Sequence, residues 1–408
     1  MTEEFTLQRL ETDDDVEQFL ELMRGVFGQE DVTALVKKLI NNHPTMTLKD
    51  FFAVKHRGKI VAGLNLIPLE WSIGGVPLKV AEMGCVATLP EYRHRGLQKM
   101  LVKEFDKRVA EQDYDLCAIE GIPYFYRQFG YEYALPLDEE TRIGLDEVPD
   151  YSSKLDVRPF TNSDIPKAME LLAKAQSKFY VHSIRNEQIW KMQQETGLAS
   201  VDKFESYAVE KEGQMEAFFR ISKKPEAKEL VLMETSDADH HVGKAILKFL
   251  KDVGKQHELD TLVSRLSHYN PLTEQLIVLG AVERVPAYAW QMRIVNYAKI
   301  WLKMKPLFEK HLAESSFSHL TEKLNFNFYR FNVQINVENG VIADIQKTDS
   351  CEDRTMRFNP LIFVKLLLGC QSLEELEMMY PDVIVRPSHK QLIDLLFPKL
   401  PSCLHCVC

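Results

Sequence analysis

Val86-Ala87-Thr88-Leu89-Pro90-Glu91-Tyr92-Arg93-His94-Arg95-Gly96-Leu97-Gln98-Lys99 carries an apolar strand through a proline-containing turn into Arg-x-Arg-Gly and straight into a helix. This is the layout of an anion cradle. The first turn of a helix has backbone N–H groups without intrahelical partners and a partial positive charge, so a phosphate docked there gains hydrogen bonds and a favourable field together. Gly96 lets the backbone approach a ligand closely.

The surroundings of the cradle fix its setting. Leu97, Met100, Leu101, Phe105 and Val109 recur at three- and four-residue spacing, which predicts an amphipathic helix lying on a sheet. Val80 to Val86 precedes that helix as a strand, and Leu116-Cys117-Ala118-Ile119 follows it as a second one. A strand-helix-strand unit results, with the basic loop at the carboxyl end of a strand, where open α/β sheets bind ligands. Arginines before a helix are often only solvated surface, and it is the strand before and the helix after that favour the cradle.

Beyond the second strand runs Gly121-Ile122-Pro123-Tyr124-Phe125-Tyr126-Arg127-Gln128-Phe129-Gly130-Tyr131. Together with the cradle, this segment closely resembles the GNAT superfamily of acyl-CoA N-acetyltransferases. The resemblance is closer still to one branch, the enhanced-intracellular-survival (Eis) acetyltransferases. Their Pro-x-x-Arg-x-Arg-Gly-Leu is matched by Pro90 to Leu97, and their Tyr-x-x-Phe-Gly-Tyr by Tyr126 to Tyr131. Gln98 departs from the small residue of the general GNAT loop.

Length predicts two or three domains. The 408 residues are 45% hydrophobic and 27% charged, as in ordinary soluble globular chains. No long uncharged apolar run and no basic-then-apolar leader follows Met1, so a cytoplasmic protein without a membrane partner is expected. Seven scattered cysteines do not form a disulfide framework, and reduced thiols are the default. The formal net charge of −10 argues against nucleic acid and suits a cationic acceptor.

An internal repeat appears at an offset of about 150 residues. Leu7 to Asp14 aligns with Val157 to Asp164, each a short strand, a polar cap and an amphipathic helix. Further on, strand Leu230 to Met233, helix Val242 to His257 and strand Thr261 to Val263 repeat the cradle region in order. Where the first copy has Arg93-His94-Arg95-Gly96, the second has Asp239-His240-His241-Val242-Gly243, acidic at its start and poorly suited to an anion. His240-His241 reads as a solvated helix start rather than a metal site.

From about residue 290 the pattern changes. Trp290 to Val295 and Phe328 to Val337 alternate as strands, Glu338-Asn339-Gly340-Val341 marks a hairpin turn, and Asn359 to Leu368, Ser372 to Met379 and His389 to Phe397 read as helices. The fold class expected is therefore α+β (mixed α/β). The expected divisions are 1–150 as a GNAT acetyl-CoA-binding catalytic domain, 151–289 as a degenerate second GNAT domain, and 290–408 as a third domain. The resemblance to the Eis branch implies a sterol-carrier-protein-like fold for that third domain, without carrying lipid binding with it.

The tail, Phe397 to Cys408, has three cysteines and a histidine within six residues but lacks the second half of a zinc finger, so no metal is expected. It carries no charged side chain after Lys399, as a buried segment would. Resemblance implies that the chain terminus enters the active site and that the α-carboxylate of Cys408 acts as general base. It also implies that Tyr126 is the general acid. From residues alone, Tyr126 among Phe125, Phe129 and Tyr131 reads first as core packing with a satisfied hydroxyl, and it is the motif match that reverses this.

For acetyl-CoA as cosubstrate, the resemblance implies contacts from Val86, Ala87 and Thr88, from the loop Arg93, His94, Arg95, Gly96, Leu97, Gln98 and Lys99, and from Gly121 and Ile122. Cys85 and Cys117 read as small buried hydrophobes. The activity implied is direct transfer of acetyl to a primary amine, an aminoglycoside or polyamine, by a homo-oligomer, hexameric in the family. Two other readings stand beside it. One is a protein or peptide N-acetyltransferase; the other is a non-catalytic lipid- or partner-binding protein on a relic acetyltransferase fold.

Overall fold

The computed structural model describes residues 4–28, 30–137, 139–284, 289–350 and 352–404. Its first sheet runs in the order Phe5–Arg9, Phe51–His56, Lys59–Ile73, Val76–Thr88, Leu116–Ile119, Ala289–Ile294, Glu132–Pro136. All neighbours on this path are antiparallel except Val76–Thr88 and Leu116–Ile119. That parallel pair needs a crossover, and the helix Leu97–Glu111 supplies it. Leu97, Leu101, Phe105 and Val109 are buried against the sheet as their spacing predicts, with Met100 half-buried.

A helix on the opposite face, Asp13–Phe27, begins at Thr12, whose hydroxyl accepts from Asp15 N–H while Asp15 accepts from the Thr12 amide. The reciprocal bonds satisfy two helix-end donors, and Lys55 neutralises Asp15 at 2.5 Å. Phe19, Leu20, Leu22 and Met23 turn inward from this helix.

The second sheet repeats the first: Asp156–Pro159, Glu205–Lys211, Gln214–Lys224, Glu229–Thr235, Thr261–Ser264, Glu140–Gly144, Val282–Arg284. Again one pair is parallel, Glu229–Thr235 with Thr261–Ser264, and a helix, His240–Gln256, joins it. The sixth strand of each sheet is exchanged. Glu140–Gly144 leaves the first half of the chain to complete the second sheet, and Ala289–Ile294 returns to complete the first. Sheet membership therefore does not follow the sequence divisions at 150 and 289, and the strand at Trp290 belongs with the first sheet rather than opening the third region. Period-2 alternation marks a strand but not its partner.

The third sheet has the order Val341–Thr348, Asn332–Glu338, Glu322–Asn327, Met356–Arg357, Ile384–Val385. The hairpin turns at Asn339 (φ 50°) and Gly340 (φ 78°), both left-handed as the Asn-Gly pair predicts. Phe328 to Phe331, expected as strand, instead forms a turn with Tyr329 at φ 66° and the two phenylalanine rings stacked 5.0 Å apart. Here aromatic burial overrides the alternation. The helix Tyr297–Ala313 was not read from the sequence. It brings Trp301 against Phe326 at 4.4 Å and holds the fully buried Asp115 of the first unit through Lys299 and Lys303, at 3.0 and 2.7 Å.

In the second unit, Glu234 faces two buried arginines, Arg185 and Arg220, whose guanidinium groups lie over the Trp190 ring at 4.2 and 4.6 Å. Burial lowers Arg220 to about 9, and Glu234 opposes that shift. Glu234→Gln leaves two buried cations with no carboxylate. A loss of about 3–5 kcal/mol in denaturant unfolding is expected, and a loss under about 1 kcal/mol contradicts this reading of the cluster.

Candidate active site

The parallel strands of the first sheet pair only from Val80–Leu116 to Glu82–Ala118 and then part, although Val76–Thr88 continues for six more residues. Where they part, the neighbouring ladder is also broken. Gly63 pairs with Ala87 and Asn65 with Gly84, so Leu64 alone faces both Cys85 and Val86. This is a β-bulge, and Cys85 takes a left-handed φ of 48° within it. Parting and bulge together interrupt the ladders that a regular sheet would complete.

A cavity of about 220 Å³ occupies the gap. Gly84, Cys85 and Val86 line one side and Ile119, Glu120, Gly121 and Ile122 the other, with Tyr126 between them. Phe27, Val32 and Leu35 of the first unit and Ser200 and Val201 of the second close it. Two carboxylate residues, Glu82 and Glu120, line the same space. Neither was singled out from sequence. The available signal was Glu82 itself, a charge inside the apolar run Val80 to Ala87.

Tyr126 is 5% exposed and packs edge-on against Phe125 (5.0 Å) and Tyr131 (6.3 Å). Its ring lies directly on Gly121, where a β-carbon would overlap Cε2 and Cδ2. Gly121 is held in turn from the exchanged strand, Gln291 Nε2 donating to its carbonyl at 2.8 Å. The same strand's Arg293 binds Asp106 of the crossover helix and donates to Cys117 Sγ. Burial raises the Cys117 thiol, so it is a structural hydrophobe.

The cradle stands at the far end of Val76–Thr88. His94 (φ 61°) and Gly96 (φ 76°) are both left-handed, which turns successive N–H groups inward as an anion nest. The first helical bonds run from Lys99 and Met100 to the Gly96 carbonyl, so the N–H groups of Gly96, Leu97 and Gln98 precede the helical ladder. Leu97 sends its side chain into the core and can offer only its backbone. Gln98 does not crowd the loop: its Nε2 folds back onto the Ala87 carbonyl (3.0 Å) and Thr88 Oγ1 (2.8 Å), tying helix to strand end. Arg93, His94, Arg95 and Lys99 stand exposed around the nest, with Arg95 over the Tyr92 ring. These groups fit a diphosphate.

At the corresponding place in the second unit, Asp239 occupies the helix end itself, accepting from His241 and Val242 N–H at 2.8 and 2.9 Å. Its own carboxylate fills the anion position. Among the described residues no group of three His, Cys, Asp or Glu comes together to hold a metal, and no helix is long and apolar enough to cross a membrane. The tail reaches the first sheet. Ser402–Cys403 pairs parallel with Val181–His182, whose strand lies on Lys59–Ile73, and Leu404 is buried. Cys408 lies outside the described residues.

A larger cavity, about 450 Å³, lies at the other end of these strands, lined by His43, Glu70, Lys79 and Tyr114 among others. It shares no lining residue with the smaller cavity at Tyr126. His43 Nδ1 accepts from Thr45 and Met46 N–H, so the neutral ring carries its proton on Nε2. Burial, aided by Lys38, lowers this histidine to about 4. The charged form is disfavoured on folding, so its contribution to stability is full above the ordinary pKa of 6.5 and lost as pH falls toward 4. An NMR titration of this ring is expected to give a midpoint near 4, and a midpoint near 6.5 contradicts its burial.

Comparison with known proteins follows from this geometry. Residues 8–134 match the family model of an acetyltransferase (GNAT) domain. No curated protein matches the chain by sequence. In three dimensions it is similar to a GCN5-related N-acetyltransferase from Anabaena variabilis, with TM-score 0.74, 16% identity, and 98% of this chain and 99% of that one covered. It is likewise similar to Eis1 from Mycobacterium abscessus, with TM-score 0.65, 14% identity, and 97% and 98% covered. Saccharomyces cerevisiae N-myristoyltransferase with bound myristoyl-CoA shares part of the fold, at TM-score 0.53 and 15% identity over 72% of this chain and 83% of that one. At such identities the likeness is one of fold. Residues 8–134 thus carry a GNAT acetyltransferase domain, within a mixed α/β architecture.

Gly121→Ala is expected to push the Tyr126 ring off the strand end. Turnover should fall on the order of tenfold or more, measured by steady-state kinetics. Unchanged turnover contradicts the placement of Tyr126 in the site.

Proposed function

We propose that the chain transfers acetyl from acetyl-CoA directly to a cationic primary amine, bound in the 220 Å³ cavity between the parted strands. The observation that carries this reading is the convergence there of Val86, Gly121, Ile122, Tyr126 and two carboxylate residues, on the strand that leads into a cradle of N–H groups preceding the helical ladder. Acetyl-CoA supplies the activated acyl group as a thioester. Arg93, His94, Arg95, Lys99 and the N–H groups of Gly96, Leu97 and Gln98 hold its diphosphate. The strand end Val86, Ala87 and Thr88 and the facing Gly121 and Ile122 hold the pantetheine arm, and strand N–H groups near Val86 polarise the acyl oxygen.

The chain then manages two protons. The amine arrives as an ammonium and must lose one before its lone pair can attack. That proton goes to the α-carboxylate of Cys408, the base implied by the Eis-like motifs. As the C–N bond forms and the C–S bond breaks, the Tyr126 hydroxyl gives its proton to the departing thiolate, and the second proton shed by the acetylated nitrogen restores that hydroxyl. No cysteine nucleophile is needed.

Glu82 and Glu120 favour a polycationic acceptor such as an aminoglycoside or polyamine. A peptide amine is the second reading, favoured by Ile122 and Tyr124, which stand 64% and 76% exposed beside the cavity. The third region is read as sterol-carrier-protein-like in fold. Its interior is packed with Trp301, Phe308, Phe326, Phe358, Phe363 and Phe397, which argues against an interior lipid and against a lipid-carrier function. A cytoplasmic homo-oligomer, hexameric like the family it resembles, completes the proposal.

Tyr126→Phe and deletion of Val407-Cys408 should each lower kcat on the order of 10²-fold, with acetyl-CoA affinity nearly unchanged. Wild-type rates in both variants remove the proposed acid and base.

A further inference from the structure

Asn65 is fully buried, and neither its Oδ1 nor its Nδ2 has a hydrogen-bond partner among the described residues. A buried carboxamide with both ends unpaired forfeits the water contacts it had in the unfolded chain and gains none in return. An apolar side chain of the same size would make a more stable sheet. Such a departure from the rules of polar burial asks for a function.

Its position supplies one. Asn65 lies directly across from Gly84, and Ile67 directly across from Glu82, in the ladder that joins Lys59–Ile73 to Val76–Thr88. Directly opposed residues share a face, so these four form one block. Ile67, Glu82 and Gly84 line the cavity beside Tyr126; Asn65 is the fourth member, immediately behind the glycine. A β-carbon at 84 would stand 2.9 Å from Asn65 Oδ1 and 2.8 Å from Ile67 Cδ1. The missing side chain of Gly84 thus leaves the carboxamide and the tip of Ile67 side by side behind a residue of the cavity wall. Asn65 also adjoins the bulge at Cys85, the one irregular point in this ladder.

We propose that Asn65 is an acceptor-binding residue: in the loaded site its Oδ1 takes an N–H of the incoming amine beside Glu82, after a rotamer change of Ile67 opens the floor of the cavity. This rests on the acetyl-transfer reading of the same site. A neutral acceptor suits the task because it can hold the nitrogen both before and after its proton leaves, whereas a carboxylate would favour the charged form.

The test compares wild type with Asn65→Leu and Asn65→Ala, using spermidine and kanamycin as probe amines with acetyl-CoA. Asn65→Leu should hold or raise Tm, raise the KM for the amine about tenfold or more, and leave acetyl-CoA affinity by calorimetry within about twofold. Asn65→Ala should show the same KM effect with a lower Tm. A purely structural asparagine would move Tm alone, and an unchanged amine KM in both variants overturns the assignment. Wild-type protein that binds no acetyl-CoA and turns over neither amine overturns the functional reading itself, and this assignment with it.

Discussion

Everything in the site depends on the early parting of two parallel strands. Val76–Thr88 and Leu116–Ile119 share three residue pairs and then separate, leaving main-chain groups and a wedge of space inside what would otherwise be a closed sheet. A sheet that continued pairing would consume the donors and have no room for a ligand. The bulge opposite Leu64 opens the other side of the same strand. The two irregularities expose a strand end on both flanks within a few residues, and the cavity, the tyrosine and the cradle are arranged around it.

Holding strands apart is unfavourable unless each is anchored elsewhere, and the exchanged strand Ala289–Ile294 does this on the Leu116–Ile119 side. It pairs with Leu116–Ile119, binds Gly121 through Gln291, and ties the crossover helix down through Arg293 and Asp106. Trp290 meets Trp71 edge-on at 5.5 Å on the far side of the sheet. The second unit, with its anion position occupied by Asp239, thus acts on the first through the chain that leaves it and through Ser200 and Val201 in the cavity wall. A second unit coupled to the first in this way is a structural brace.

Local features of this architecture were legible in the sequence. The cradle turn, the amphipathic helix after it, both capped repeats and the Asn-Gly hairpin follow from spacing and turn chemistry, which act over a few residues. Gln98 shows the limit: its identity raised the question of crowding, and only the fold shows it turned onto Ala87 and Thr88. The strand exchange was not legible, because alternation at Trp290 says nothing of which sheet receives it. Glu82, Gly84 and Asn65 come together only through cross-strand register, and register is set by pairing rather than by local composition. The helix Tyr297–Ala313 was hidden by its internal Pro306, which normally argues against a helix.

The most direct measurement is thiol release from acetyl-CoA by the wild-type protein with a panel of polyamines, aminoglycosides and peptides, corrected for hydrolysis and paired with the mass of the amine product. The account predicts thiol release matched one for one by an acetylated amine, fastest with polycationic acceptors. No acetyl-CoA binding, or thiol release without an acetylated amine, would contradict it.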